Sequence, residues 1–335
     1  MKNWQKSCIK SKSKISIITI LVVLVLVAAV FSICIGAVFY SPLELFTKDS
    51  QSVAYKILHY SRIPRTCCSL LAGAALAVAG AVIQTVLANP LAAPNIIGVN
   101  SGAGFMVALC CAFMPFSPWA IPVAAFVGAA LGVFIVLGIA EGVGASKSTM
   151  ILAGVAISSL FAGATDAVVT FVPEALAGYT DFRIGGFRGV TMERVVPAAV
   201  FILIGFILVL CLTHEMDVLA LGTETAHSLG VKVRPIRILL LTGAALLAGA
   251  AVSFSGIIGF VGLLVPHIIR KILGADALIL VLGSALGGAF LVTVCDTLAR
   301  SIFTPFELPV GIILSLLGAP FFLGLLLKQR KRRTH

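Results

Sequence analysis

The sequence predicts an all-α polytopic membrane protein of one domain, residues 1–335, with about ten transmembrane helices. Hydrophobic residues make up 60% of the chain and charged residues 11%, and the mean hydropathy is +1.13. One soluble core could not bury that much apolar surface. Apolar runs of the roughly 20 residues needed to cross a bilayer recur almost from end to end. No room remains for a soluble domain of useful size.

Charges, prolines and turn residues divide the chain into ten predicted spans. The first apolar run, Ile15 to Tyr40, is about twice as long as a secretory signal core and has no small-residue cleavage site, so it is predicted to be a retained span. The spans are predicted at residues 15–40, 64–88, 97–115, 118–141, 149–172, 195–213, 236–253, 256–273, 276–298 and 308–328.

The placement of basic residues predicts the orientation. Five lysines lie within residues 1–14, and the tail, 329–335, is also strongly basic. Short basic flanks mark the cytoplasmic side, so both termini are predicted to be cytoplasmic and the span count even. The turns at 89–96 and 142–148 and the loop at 214–235 are then cytoplasmic, whereas 41–63, 173–194 and 299–307 are outside.

Two sequence patterns predict how the helices associate. Glycines spaced four apart allow close helix contact in lipid, at Gly98/Gly102, Gly128/Gly132, Gly138/Gly142 and Gly283/Gly287. Arg62-Ile-Pro-Arg65 leads into Gly73-Ala-Ala-Leu76, and Arg234-Pro-Ile-Arg237 leads into Gly243-Ala-Ala-Leu246. The two copies start from opposite sides of the membrane, as in the inverted internal repeats of transporters.

The sequence contains no motif that predicts ATP hydrolysis, covalent catalysis or metal binding. The segment Gly142 to Ser148 resembles a phosphate-binding loop, but Ser146 replaces the required glycine and no strand precedes it, so ATP-driven work must come from a partner. Nothing arranges Ser253, Ser255 and His267 as nucleophile and base. The cysteines lack metal spacing and are predicted to pack as small apolar residues, with no metal site. The chain is therefore not predicted to be an enzyme.

Asp166 is the one clear ionisable residue deep within a predicted span. Such a residue either has a function or makes hydrogen bonds toward the bundle interior, and packing is favoured here. A proton relay needs several ionisable residues within the membrane, and the predicted spans contain few. An ion-coupled secondary transporter with inverted repeats remains the alternative function.

Arginines on the outer side are exceptions to the positive-inside tendency. They are Arg62, Arg65, Arg183, Arg188, Arg194 and Arg300. They could dock an acidic receptor or attract an anionic substrate, because the guanidinium suits carboxylates. Alternatively, Glu174, Asp181, Glu193, Asp296 and Glu307 could neutralise them locally.

The cytoplasmic loop 214–235 has an apolar stripe of Leu219, Leu221 and Leu229 and is predicted to contain a short surface helix ending at Gly230. Such a helix either lies in the membrane interface or fits a partner's groove. The loop alone does not decide between them.

Several long motifs in order resemble the FecCD family of ABC importer permeases, which includes vitamin B12 and ferric-siderophore systems. They cover nearly the whole chain: Arg62-Ile-Pro-Arg65, Leu71 to Gly80, Asn89-Pro-Leu-Ala-Ala-Pro94 with Gly98 to Gly102, Leu152 to Ala156, Ala220 to Glu224 with Ser228 to Val231, Gly259 to His267, Glu307 to Gly311 and Gly318 to Phe322.

The resemblance implies the type II ABC importer permease fold, acting as a homodimer or paralogous heterodimer in a bacterial or archaeal cytoplasmic membrane. Two cytoplasmic ATPases would hold the ATP and magnesium, and no cofactor would bind this chain. An extracytoplasmic receptor, either periplasmic or a lipoprotein, would deliver an iron-siderophore or related chelate such as haem or cobalamin.

The resemblance also implies site residues. Receptor docking falls on Arg62, Arg65 and Arg300. ATPase coupling falls on Leu221, Gly222, Glu224, Ser228, Leu229, Gly230 and Val231. The cytoplasmic gate falls on Asn89, Leu91, Ser146 and Ser148, and Lys147 departs from the small polar residue expected there.

Overall fold

The computed structural model describes residues 2–36, 39, 41, 52–114, 119–143, 147–302 and 306–333, with side chains outside 2–13, 147 and 325–333. Every regular element among these residues is helical. The helices are α1 Lys2–Cys34, α2 Val53–Ile57, α3 Ile63–Val86, α4 Val99–Phe113, α5 Ala120–Val143, α6 Lys147–Phe171, α7 Ala175–Ile184, α8 Met192–Cys211, α9 Thr213–Ala220, α10 Thr223–Ser228, α11 Val233–Ser255, α12 Val261–Leu273, α13 Ala277–Ser301 and α14 Val310–Arg333.

A helix occupies each of the ten predicted spans, but their lengths differ. Seven are long and apolar enough to cross a membrane, and the apolar stretches Val99–Phe113 and Val310–Gly324 are shorter. Helix α12 has 13 residues, or roughly 20 Å at 1.5 Å per residue, against about 30 Å of hydrocarbon. Helices α4 and α12 are therefore shorter than the predicted spans 97–115 and 256–273, and both begin at buried residues, Val99 and Val261.

The two predicted repeat copies run in opposite directions. Helix α3 begins near the end of α7, since Arg65 and Gly185 line one cavity, and α11 ends there, since Gly186 donates its N–H to the Ser255 carbonyl. Each long helix then leads through an irregular segment into a short one, α3 into α4 and α11 into α12. This geometry confirms the inverted repeat. We call the two ends of the bundle the α7 end and the α9 end.

Glycines allow close helix contact, as predicted for three of the four spaced pairs: Gly98/Gly102 and Gly128/Gly132 meet each other's backbone, and Gly283/Gly287 meet side chains of α12. A Cβ at Gly102 would lie 2.2 Å from the Gly128 carbonyl oxygen, and one at Gly73 would lie 2.2 Å from that of Gly288. The prediction is wrong for Gly138 and Gly142 within this chain, because open space surrounds both positions in the described structure.

Two irregular segments, residues 87–98 and 256–260, enter the bundle from opposite ends. Non-helical backbone at membrane depth is tolerated where protein surrounds it or where it lines a cavity. Both conditions hold, because Pro94 of the first segment packs against Gly262 of α12, just after the second segment, and the two segments together line a cavity of about 180 Å³. Ala88 and Phe260, one in each segment, have the left-handed φ values 46° and 65°.

Candidate functional site

Arg65 is the centre of a buried ionic cluster at the α7 end. Its Nε lies 2.9 Å from Asp296 Oδ2 and its Nη2 3.0 Å from Oδ1, so the fork of the guanidinium binds the carboxylate in a bidentate way. Its Nη1 donates to Glu307 Oε2 at 2.7 Å. Asp296 is fully buried, whereas the Glu307 side chain is 40% exposed. Two of the local carboxylates therefore neutralise Arg65.

Arg62 and Arg300 hold the C-terminal end of α1. Arg62 donates to the carbonyls of Ile33, at 2.9 Å, and Cys34. Arg300 donates to the Ser32 hydroxyl at 2.7 Å and to the Ser32 carbonyl. Cations suit these last carbonyls, which have no partner within the helix.

All three predicted docking arginines are thus brought together but lie 93% or more buried. Receptor docking stays a prediction. Arg65 also lines a cavity of about 230 Å³ together with Asp181, Arg188 and Glu307.

The predicted coupling loop forms two short helices rather than one. Helices α9 and α10 are separated at Leu221 and Gly222, where φ is 112° and favours glycine. The chain turns again at Gly230, with φ 81°, as predicted for a helix end. The prediction of a single helix is wrong because it missed the break at Gly222.

The two short helices present leucines outward and are anchored inward. Leu221 is 65% exposed and Leu229 61%, whereas Leu219, predicted for the same stripe, is buried in the bundle. Of the other predicted coupling residues, Glu224, Ser228 and Gly230 are exposed and Gly222 and Val231 half-buried. The fully buried Met216 and Ala226 hold the two helices against the core.

Two polar contacts connect this loop to distant helices, and sequence reasoning missed both acidic residues. Asp217 of α9 accepts from the N–H of Ala277, the first residue of α13, at 2.8 Å. Arg234, at the start of α11, forms an ion pair with Glu141 near the end of α5. The chain has only 13 acidic residues, and this small number was the one feature of the sequence that could have drawn attention to Asp217 and Glu141.

The predicted gate turn is held by its own side chain. Asn89 Oδ1 accepts from the Leu91 N–H at 2.9 Å, and Leu91 lines the 180 Å³ cavity. Beside it, Gln84 donates to the Gly262 carbonyl and accepts from Arg270 at 3.1 Å, so α3 holds the start of α12. Ser148 is exposed near the start of α6, and Ser146 lies outside the described residues.

Asp166 is exposed, so its predicted packing toward the bundle interior is wrong. It shares the outward side of α6 with Ser159, Gly163 and Thr170, at helical spacing. The charge of Asp166 affects the nearby Tyr179 of α7. Burial raises the pKa of the Tyr179 hydroxyl, the positive charge of Arg183 lowers this pKa, and the negative charge of Asp166 raises it. A membrane helix with a carboxylate on its exposed side faces protein or water rather than lipid.

Comparison with known proteins gives the same family as the motifs. The model of the FecCD transport family matches residues 23–328. The chain is 37% identical to the hemin transport system permease protein of Yersinia pestis, covering 94% of this chain and 96% of that one. It is 36% identical to an Fe(3+)-citrate import system permease protein of Bacillus subtilis, covering 98% and 100%.

A solved structure has the same fold over nearly the same length. It is described as an inward-facing conformation of a metal-chelate type ABC transporter, and it superposes with a TM-score of 0.85 at 30% identity, covering 93% of this chain and 99% of that one. These findings exclude the secondary transporter that was the alternative. The chain belongs to the FecCD transport family, and it is a multi-pass permease subunit of an ABC importer.

Proposed function

We propose that this chain is one of two permease copies in a complex that imports an iron chelate, powered by two separate ATPases. The observation that carries the proposal is the FecCD match over residues 23–328. The α9 end faces the cytoplasm in this arrangement, because both basic termini belong to helix ends on that side. The membrane is the cytoplasmic membrane of a bacterium or archaeon.

The substrate class follows the relatives. Their names specify hemin, Fe(3+)-citrate, iron(3+)-hydroxamate and cobalamin, all of them metal chelates. We assign an iron chelate, either a siderophore complex or haem, to this chain. Chelates of this size differ in shape and charge, so we assign their discrimination chiefly to the receptor.

The ATPases dock on Leu221 and Leu229. Two leucines that are both more than 60% exposed on a short helical pair, outside the apolar spans, are anchors of the kind that fit a partner's groove. Buried Met216 and Ala226 anchor α9 and α10 in the core, so movement of a docked ATPase is transmitted to the helix bundle.

The second permease copy faces α6 across the passage. The exposed side of α6 carries Ser159, Asp166 and Thr170, which suit a wet, weakly polar channel and not hydrocarbon. At the α9 end the passage closes at the turns of Asn89, Leu91, Ser146 and Ser148.

The receptor docks at the α7 end on the cluster of Arg62, Arg65 and Arg300. Glu307 is 40% exposed and holds Arg65 from the cavity side. We assign Glu307 the position that a receptor carboxylate takes on docking. Arg62 and Arg300 strengthen the positive field while holding α1.

One experiment tests both the partners and the substrate class. Tagged permease is purified from its native membrane, and the recovered ATPase is measured for wild type, for Leu221→Glu with Leu229→Glu, and for Leu176→Glu, a matched exposed leucine at the α7 end. We expect the double variant alone to lose the ATPase at least tenfold.

The same preparations, in proteoliposomes with receptor and ATP, are then assayed with labelled ferric citrate, ferric hydroxamate, haemin and cobalamin. Uptake of an iron chelate by wild type supports the proposal. Uptake of cobalamin alone, or uptake without ATP, would contradict it.

A further inference from the structure

The start of α11 and the end of α5 meet at the α9 end in a small ionic cluster. Arg234 Nε contacts Glu141 Oε2, and the buried Arg237, one turn later on α11, lies within electrostatic reach of the same carboxylate. The Glu141 side chain is 16% exposed and the Arg234 side chain 70%. The partly buried carboxylate of α5 is therefore contacted from its solvent side by a largely exposed cation.

The position of this cluster links two elements that have separate roles in the proposed function. Arg234 follows the coupling helices closely: α10 ends at Ser228, the chain turns at Gly230, and α11 begins at Val233. Glu141 lies two residues before the end of α5, and α6, which carries Ser148, begins at Lys147. One ion pair thus links the ATPase-contacting loop to the C-terminal end of α5, the helix that precedes α6 and Ser148 in the chain.

A second contact fixes the other end of the coupling loop. Asp217 of α9 caps the first N–H of α13, and Met216 beside it is fully buried. The loop is therefore anchored rigidly at α9 and connected to α5 by an exposed side-chain contact after α10. Leu229 lies on the α10 side of the loop, five residues before Arg234, so we expect movement imposed on Leu229 to reach the ion pair with Glu141.

We propose that Glu141 and Arg234 are positioning residues that transmit movement of the coupling helices to the C-terminal end of α5. This inference rests on the proposed function. It predicts that the pair governs how much substrate is moved per ATP hydrolysed. It does not predict a large effect on folding, because Arg234 is mostly exposed and such pairs contribute little to stability.

The test uses the whole complex in proteoliposomes, with ATP hydrolysis and uptake of the labelled iron chelate measured on the same sample. For Glu141→Gln and Arg234→Gln we expect the uptake-to-hydrolysis ratio to fall at least fivefold while hydrolysis stays within twofold of wild type. Arg234→Lys, which keeps a positive charge beside Glu141, should keep the ratio within twofold of wild type. Lys271→Gln, which removes an exposed charge at the same end, should leave it unchanged.

Either of two outcomes would overturn the inference. One is a wild-type ratio in both single variants. The other is loss of ATPase co-purification in the variants, which would make the pair an assembly contact. Failure of the proposed function would look different, since wild type itself would then take up no iron chelate.

Discussion

The two ends of the bundle carry arginine–carboxylate clusters at corresponding places in the inverted repeat, and they are built differently. At the α7 end, Arg65 of α3 binds fully buried Asp296 of α13 through both oxygens. At the α9 end, Arg234 of α11 holds Glu141 of α5 while remaining 70% exposed. The first pair is buried between its two helices, whereas solvent reaches the second pair from the Arg234 side.

Backbone packing repeats this difference. A Cβ on Gly73 of α3 would lie 2.2 Å from the Gly288 carbonyl oxygen of α13, whereas one on Gly249 of α11 would lie 3.2 Å from the Ala129 side chain of α5. Backbone in direct contact cannot give way, but a methyl group at 3.2 Å can move a few tenths of an ångström. The α3–α13 pair is therefore packed more rigidly than the α11–α5 pair.

The largest expected effect is the loss of the buried carboxylate. Asp296→Ala leaves Arg65 and Arg300 buried without their shared partner, and breaking a buried pair in this way costs about 3–5 kcal/mol. We expect a large drop in the melting temperature of the purified permease, measured by loss of monodisperse protein on heating. Glu141→Gln is the control, with a cost of about 1 kcal/mol or less. Equal drops in both variants would remove the distinction between the ends.

Glycine replacements test the packing half of the comparison. Gly73→Ala should lower the melting temperature strongly, because the new methyl group meets the Gly288 backbone, and about 1–3 kcal/mol is typical of overpacking. Gly249→Ala should cost less, and Gly138→Ala, whose surroundings are open, should have almost no effect. The same heating assay ranks the three, and a reversed order of Gly73 and Gly249 would contradict the rigid α3–α13 pair.

Replacing Glu307 is expected to change the stability of the permease little and its affinity for the receptor severalfold. Glu307→Gln removes a 40% exposed carboxylate that holds Arg65, so the melting temperature should change little. Receptor affinity, measured by titration of the loaded receptor onto detergent-solubilised complex, should rise severalfold, since a competitor for Arg65 is gone. The gain should shrink at high salt because screening weakens it. Weaker receptor binding would mean that Glu307 itself contacts the receptor.

Sequence reasoning worked where the signal is local or where it repeats along the chain. Apolar runs placed a helix at each predicted span, and Gly230 ended α10 because its φ of 81° suits glycine. It failed at the break in the coupling loop, since Gly222 within Leu221-Gly222-Thr223 reads as part of one helix. The depth of α4 and α12 was also missed, because the length of an apolar run does not show where a helix begins inside a bundle.

What the sequence determined by itself is therefore the membrane fold, the inverted repeat and the family, all of which rest on composition, spacing and ordered motifs. Only the tertiary structure decided how its charges are used. Arg65 and Asp296 are 231 residues apart, and Glu141 and Arg234 lie in different halves of the chain. Such pairs form only when helix packing brings distant positions together, and the difference in burial makes the Arg65–Asp296 pair costly to break and the Arg234–Glu141 pair much less so.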